Sequence, residues 1–201
     1  MTKLIGLTGR SGAGKSAAAE ILLELGYPII NADAVYHALI SKNTPCTEEL
    51  LENFGAEIAA EKGGIDRKKL ALRVFGQENT PKLLHTLNQI THKYIMADIR
   101  SLVQSYRERS FPAVILDAPQ LFEAGADREC NAILGIIASD AVCIERITKR
   151  DGISSEAAAA RLAAQHPSDY FRQRCTAVLV NEGDLESLRM GICQFLKDIG
   201  V

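Results

Sequence analysis

The sequence predicts an α/β fold built around a parallel β-sheet, and three features carry that expectation. Apolar runs at Lys3–Thr8 (KLIGLT), Ala113–Leu116 (AVIL) and Ala132–Ile137 (AILGII) are unbroken rather than alternating. Runs of that kind mark strands covered on both faces. The first run passes through a glycine-rich loop into a helical pattern and then a second short strand, which makes a βαβ unit. Such units build parallel sheets with right-handed crossovers. The composition, 47% apolar and 24% charged over 201 residues, is that of a globular chain with one domain or one core carrying insertions.

The elements follow in order. From Lys15 to Leu25, Ala18, Ile21, Leu22 and Leu25 share a helix face, and Gly26 stops the helix. Pro28–Ile30 reads as a second strand that runs out at Asn31-Ala32-Asp33. Residues 34–110 hold no convincing central strand. They carry helical patterns near Ala34–Ile40, Thr47–Phe54 and Asp66–Val74, a Gly63-Gly64 turn, and a long helix over about Pro81–Arg109. That last helix would extend roughly 40 Å. The region reads as a helical insertion on one edge of the sheet. After the strands at 113–116 and 132–137, helices are expected over Ala141–Arg150 and Ser155–Gln165, the latter capped by Ser154 or Ser155. Ala177–Val180 is the last strand, and Asp184–Ile199 a closing amphipathic helix. The predicted division is a core of residues 1–33, 111–140 and 176–201, an insertion of 34–110, and a lid of 141–175.

Composition narrows the function classes. A net charge of −2 gives no reason to expect nucleic acid or a membrane surface as partner, although Arg67-Lys68-Lys69 and Lys149-Arg150 could meet phosphates. The five cysteines form no C-x-x-C pair and are odd in number, so they read as free thiols in a reducing compartment. The N-terminal apolar run is broken by Gly6 and Gly9 and is no signal peptide. No apolar stretch approaches the roughly 18 residues of a membrane span. A cytoplasmic protein is expected. It is expected to be a monomer, since no long exposed apolar helix calls for a partner.

The chemistry is carried by Gly9-Arg10-Ser11-Gly12-Ala13-Gly14-Lys15-Ser16, which fits G-x-x-x-x-G-K-[ST] completely. It follows an apolar strand and opens a helix, the context its mechanism requires. The glycines let the backbone curl and turn its N–H groups inward. Those groups and the positive end of the helix, from Gly12 through Ala17, would hold phosphate oxygens. Lys15 would reach the β- and γ-phosphates of ATP, and the Ser16 hydroxyl would ligate Mg2+.

A phosphotransferase also needs an acceptor hydroxyl, a carboxylate to orient or deprotonate it, and cations for the moving group. Asp33 lies just past the carboxyl end of the second strand, the edge where open α/β sheets bind ligands. It is the candidate base, with the cap of a helix starting at Ala34 an equal alternative. Asp117, directly after the AVIL strand, matches the carboxylate that supports magnesium in phosphate-loop proteins, or else a strand-end turn. Arg146 and Arg150 lie four apart, so they share a helix face that is either a lid facing the γ-phosphate or a solvated basic surface. The four histidines show no metal-binding spacing.

These motifs together resemble the dephospho-coenzyme A kinases. The similarity runs from Leu4 to about Leu196. It takes in Gly26–Asp33 (GYPIINAD), Ile65–Leu70 (IDRKKL), Leu87–His92 (LNQITH), Leu116–Glu123 (LDAPQLFE) and the run from Arg146 to Gln165. The resemblance implies a three-layer P-loop kinase fold with a helical substrate-binding insertion and a lid. It implies transfer of the ATP γ-phosphate to the ribose 3′-hydroxyl of dephospho-coenzyme A. It also implies Asp33 as catalytic base alongside Lys15 and the lid arginine Arg146. Asn181 would lie near the adenine. Thr8, Arg67, His92 and Asp117 would lie on the substrate side. The chain departs from the pattern at Asn31, Tyr36-His37, Lys93, Gln120, Cys175-Thr176 and Val180, and His37 stands where an acceptor-side arginine is usual. The rival readings are another small-molecule P-loop kinase, a regulatory NTPase switch and a degenerate ATP-binding module. The chain has no N-K-x-D guanine-reading segment.

Overall fold

The structure is a computed structural model that describes residues 2–76 and 80–201. Five strands, β1 (Lys3–Gly9), β2 (Ile29–Asn31), β3 (Ala113–Asp117), β4 (Ala132–Ile137) and β5 (Ala177–Val180), form one parallel sheet in the order β2-β3-β1-β4-β5. Leu7 stands opposite Asp117 on one side of β1 and opposite Leu134 on the other. β1 is therefore central, and the order places β2 and β3 on one side of it and β4 and β5 on the other. The crevice at its carboxyl end is a topological switch point, where open α/β sheets bind ligands. All five residues of β3 and all six of β4 are buried, which is why those runs carry no polar alternation.

The chain divides into two compact units, whose described residues are 2–30 with 103–201, and 31–76 with 80–102. In the first, Ile5, Leu7, Ile115, Leu134 and Ile136 of the sheet share one core with four helices. These are α1 (Lys15–Glu24), α6 (Asp140–Asp151), α7 (Ser155–Ala163) and α9 (Leu185–Asp198). They contribute Ile21 and Leu22, Cys143 and Ile147, Ala158 and Leu162, and Ile192 and Phe195. α8 (Ser168–Arg174) belongs to the same unit.

The second unit is helical: α2 (Ala32–Ile40), α3 (Pro45–Phe54), α4 (Arg67–Phe75) and most of α5 (Thr80–Glu108). Its core gathers Ile40, Leu50, Phe54, Ile58, Val74 and Ile90. No helix among the described residues is long and apolar enough to cross a membrane.

Several boundaries differ from the sequence expectation for identifiable reasons. α3 starts at Pro45 rather than Thr47, because Thr44 and Thr47 form a reciprocal capping box and Pro45 suits the first helical position. α2 starts at Ala32 rather than Ala34. Asn31 is its cap, accepting from the Ala34 N–H at 2.8 Å, so Asp33 lies in the first turn and the reading of Asp33 as the cap is corrected. Asn31 and an aspartate serve equally well as acceptors there, which makes that departure locally silent. Thr176 does similar work, its hydroxyl accepting from the Ile133 N–H at 2.9 Å. α8 was missed by sequence reading, because seven residues with one buried side chain, Phe171, leave no measurable period.

Candidate active site

The site starts from the backbone of the phosphate loop. Gly12 has φ 77°, and a Cβ there would lie 2.5 Å from the carbonyl oxygen of Cys143 in α6. Only glycine combines that left-handed conformation with so close a backbone approach. Gly14, at φ 101°, caps α1 with no side-chain hydrogen bond to the first turn. The first intrahelical bond is donated by Ala18, to the Gly14 carbonyl. The N–H groups of Lys15, Ser16 and Ala17 therefore lack intrahelical acceptors, and with the helix dipole they present a ready anion site.

Side chains from four other segments surround this loop. Lys15 Nζ forms an ion pair with Asp117 Oδ1 at the end of β3, and both side chains are largely buried. Thr8, fully buried, donates to the Pro119 carbonyl at 3.3 Å and ties β1 to the segment after β3. Arg146 Nη1 donates to the carbonyls of Asn181 (3.0 Å), Gly12 and Ala13 (3.4 Å each). The solvated-surface reading of Arg146 is thereby set aside. Arg150, by contrast, is exposed and pairs with Asp151 at 2.7 Å. Asn181, buried just past β5, donates from Nδ2 to the Ala13 carbonyl at 2.8 Å and abuts Gly14. This bracing role of Asn181 has no signal along the chain.

A cavity of ≈850 Å³ opens in front of the loop. Its walls are loop residues 9–12 and 14–16, Pro119, Gln120, Glu123, Arg146, Arg150 and the stretch from Ala164 to Pro167 with Phe171. The volume suits a nucleotide-sized ligand. Sequence reading singled out Gly12, Gly14, Lys15, Ser16 and Arg146 among these, and weighed Arg150 with Arg146, but missed Arg10, Glu123, Gln165, His166 and Phe171. Arg10 and Ser11 occupy two of the four unconstrained positions of the motif, and His166 had no clustered partner in the sequence. In the structure His166 Nε2 is 3.1 Å from Glu123 Oε1, and its ring stacks on Tyr170 with centroids 3.8 Å apart. Gln165 had a signal, since it closes the run that begins at Arg146.

Asp33, Arg67 and His92 fall in the second unit. Asp33 is exposed in the first turn of α2, a favourable place for a carboxylate at a helix N-terminus. Arg67 opens α4, capped by Asp66, and its charge opposes the burial that pushes the Tyr36 phenol above its usual value. His92 is half-buried on α5, and burial holds its imidazole below the ordinary histidine range. Lys93 is held at 2.7 Å by Glu49, which also accepts from the Tyr94 hydroxyl at 2.7 Å. Burial pushes the thiols of Cys46 and Cys175 up to about 11 and that of Cys130 to about 12.

Taken together, the arrangement in the first unit can hold a polyphosphate by backbone N–H groups and surround it with ammonium and guanidinium groups. Comparison with known proteins narrows this to a family. The family model "Dephospho-CoA kinase" matches residues 3–187. A dephospho-CoA kinase of Carboxydothermus hydrogenoformans is 35% identical over 194 residues, which are 96% of this chain and 93% of the relative. The crystal structure of TT1252 from Thermus thermophilus superposes with a TM-score of 0.79 at 32% identity, covering 100% of this chain and 99% of that one. Dephospho-CoA kinase from Campylobacter jejuni gives a TM-score of 0.71 at 26% identity over 99% and 98%. With the family match spanning both units of the fold and not the phosphate loop alone, the chain belongs to the dephospho-CoA kinase family.

Proposed function

We propose that this protein transfers the γ-phosphoryl group of ATP to the ribose 3′-hydroxyl of dephospho-CoA, giving CoA and ADP. The observation that carries the reading is a complete phosphate loop set in a family match from residue 3 to 187, which includes the helical unit as well as the nucleotide core.

The residue roles follow from chemistry. Backbone N–H groups from Gly12 to Ala17 bind the phosphates, and Lys15 and Arg146 stabilise the charge spread over the equatorial oxygens of the moving group. Arg146 is already aimed at the loop through its bonds to Gly12 and Ala13. Asp33 accepts or orients the proton of the acceptor hydroxyl while that oxygen bonds to the γ-phosphorus and the bond to the β-bridging oxygen breaks. Thr8, Arg67 and His92 serve the acceptor side, Asn181 the nucleotide side, and residues 141–175 form the lid that excludes water.

The Ser16 hydroxyl, which lines the cavity, would hold magnesium, with the Asp117 carboxylate beside Lys15 in support. Hard oxygen groups of this kind suit this ion. Bound there, magnesium supplies neutralisation of charge between the β- and γ-phosphates. We place the enzyme in the cytoplasm as a monomer. Its five unpaired thiols support a reducing compartment.

The test is ADP release from ATP and magnesium with dephospho-CoA, AMP, shikimate or no acceptor. Release that depends on dephospho-CoA is the expected result. Equal release without any acceptor would overturn the proposal in favour of an NTPase switch.

A further inference from the structure

Arg10 and Ser11, two of the four unconstrained residues of the phosphate loop, are where the α7–α8 segment is fastened. The Ser11 N–H donates to Gln165 Oε1 at 2.9 Å. Arg10 Nη1 donates to Asp140 Oδ1, the first residue of α6, at 2.5 Å, and to Ser168 Oγ, the first residue of α8, at 3.3 Å. The Arg10 side chain is only 6% exposed, and its Nε is buried with no hydrogen-bond partner. A buried guanidinium with an unmet donor is a poor way to gain stability, and an apolar side chain would commonly serve as well or better. Its contacts therefore point to placement. One guanidinium joins the phosphate loop to the helix that carries Arg146 and to α8, which follows His166 and carries Phe171.

From this geometry we infer that Arg10 and Gln165 are positioning residues that clasp the α7–α8 segment to the phosphate loop. In doing so they decide whether the γ-phosphoryl group goes to the acceptor hydroxyl or to water. The segment they hold, Ala164 to Pro167, forms one wall of the cavity that contains Lys15, Ser16 and Arg146. With the wall seated, the acceptor oxygen attacks the γ-phosphorus and ADP leaves. With it loose, a water oxygen attacks instead, the same bridging bond breaks, and the products are inorganic phosphate, ADP and a proton. Neither residue needs to touch the reacting atoms. The partition claim rests on the kinase reading above, whereas the clasp itself does not.

Two measurements on the full-length protein test the inference. In amide hydrogen exchange of the free protein, Gln165→Ala is expected to expose the Ser11 amide about fivefold faster, the factor that one net hydrogen bond contributes. In turnover with ATP, magnesium and dephospho-CoA, the ratio of inorganic phosphate to CoA is expected to rise by about the same factor in Gln165→Ala. It should rise further in Arg10→Ala and return toward wild type in Arg10→Lys, whose ammonium retains donors for Asp140 and Ser168. Gln165 is exposed, so its variant keeps the test valid if Arg10→Ala does not fold. Unchanged exchange at Ser11 would overturn the clasp. Faster exchange with an unchanged phosphate-to-CoA ratio, or transfer and hydrolysis falling in parallel, would overturn the partition role. A wild-type protein inactive on dephospho-CoA would refute the kinase reading, and the exchange measurement would still decide the clasp.

Discussion

Replacing Asn181 with alanine removes the group that braces the phosphate loop from behind. Asn181 is 8% exposed, its Nδ2 donates to the Ala13 carbonyl at 2.8 Å, and its own carbonyl accepts from Arg146 at 3.0 Å. Losing a net hydrogen bond costs about 1 kcal/mol, and the space left by a buried amide roughly doubles that. For a chain of this length the melting temperature should fall by about 4–8 °C. Because the brace lies at Ala13–Gly14, the loss also loosens the N–H groups that hold phosphates. The KM for ATP should therefore rise about fivefold, with a matching rise for GTP. Asn181→Asp is the sharper variant. It keeps the shape but sets a carboxylate oxygen against the Ala13 carbonyl, so it should be less stable than alanine, by roughly 1 kcal/mol or more. Thermal unfolding and steady-state kinetics with both nucleotides measure all of this. An alanine variant that melts with wild type, or an aspartate variant more stable than alanine, would refute the brace. A change in the ATP-to-GTP preference at constant stability would return Asn181 to the adenine-side role.

Other perturbations have equally definite outcomes. Asp33→Asn should leave ATP affinity nearly intact and lower turnover by roughly 100-fold or more; normal turnover would remove Asp33 from the chemistry. Gly12→Ala forces a Cβ onto the Cys143 carbonyl at a left-handed φ, so ATP binding by isothermal calorimetry should weaken by about tenfold or more. Thiol labelling at about pH 8 should spare Cys130, whose thiolate is about a thousandfold scarcer there than for a group at 9.0. Rapid labelling of Cys130 in the native protein would show that it is not buried as described. His92 is held below its unfolded value of 6.5, so the unfolded chain binds this proton more readily. Stability should therefore fall as pH drops through 6.5 and level off below the folded-state value. Denaturant melts of wild type and His92→Gln across that window measure the slope, which should flatten in the variant.

Much of this protein was legible from local pattern. The unbroken apolar runs of β1, β3 and β4 could only be strands buried on both faces, and they are. The phosphate loop was legible because each of its requirements is local: glycine where the backbone turns, lysine and serine at the first turn of the helix. Helix starts were less so. Thr44, Asn31 and Asp66 all cap helices, but a cap is recognisable only once the turn it closes is known.

What the sequence determined by itself was the set of chemical groups and the strand-loop-helix unit that presents them, because those depend on neighbours along the chain. Tertiary structure alone decided which distant side chains meet that unit. Arg10 reaches Asp140 and Ser168, Asn181 reaches Ala13, and Lys15 reaches Asp117, contacts separated by 102 to 168 positions. No periodicity or motif encodes such pairs. They exist because the parallel sheet order carries the carboxyl ends of β1, β3, β4 and β5 to one edge, where the loops that follow them must share the same space.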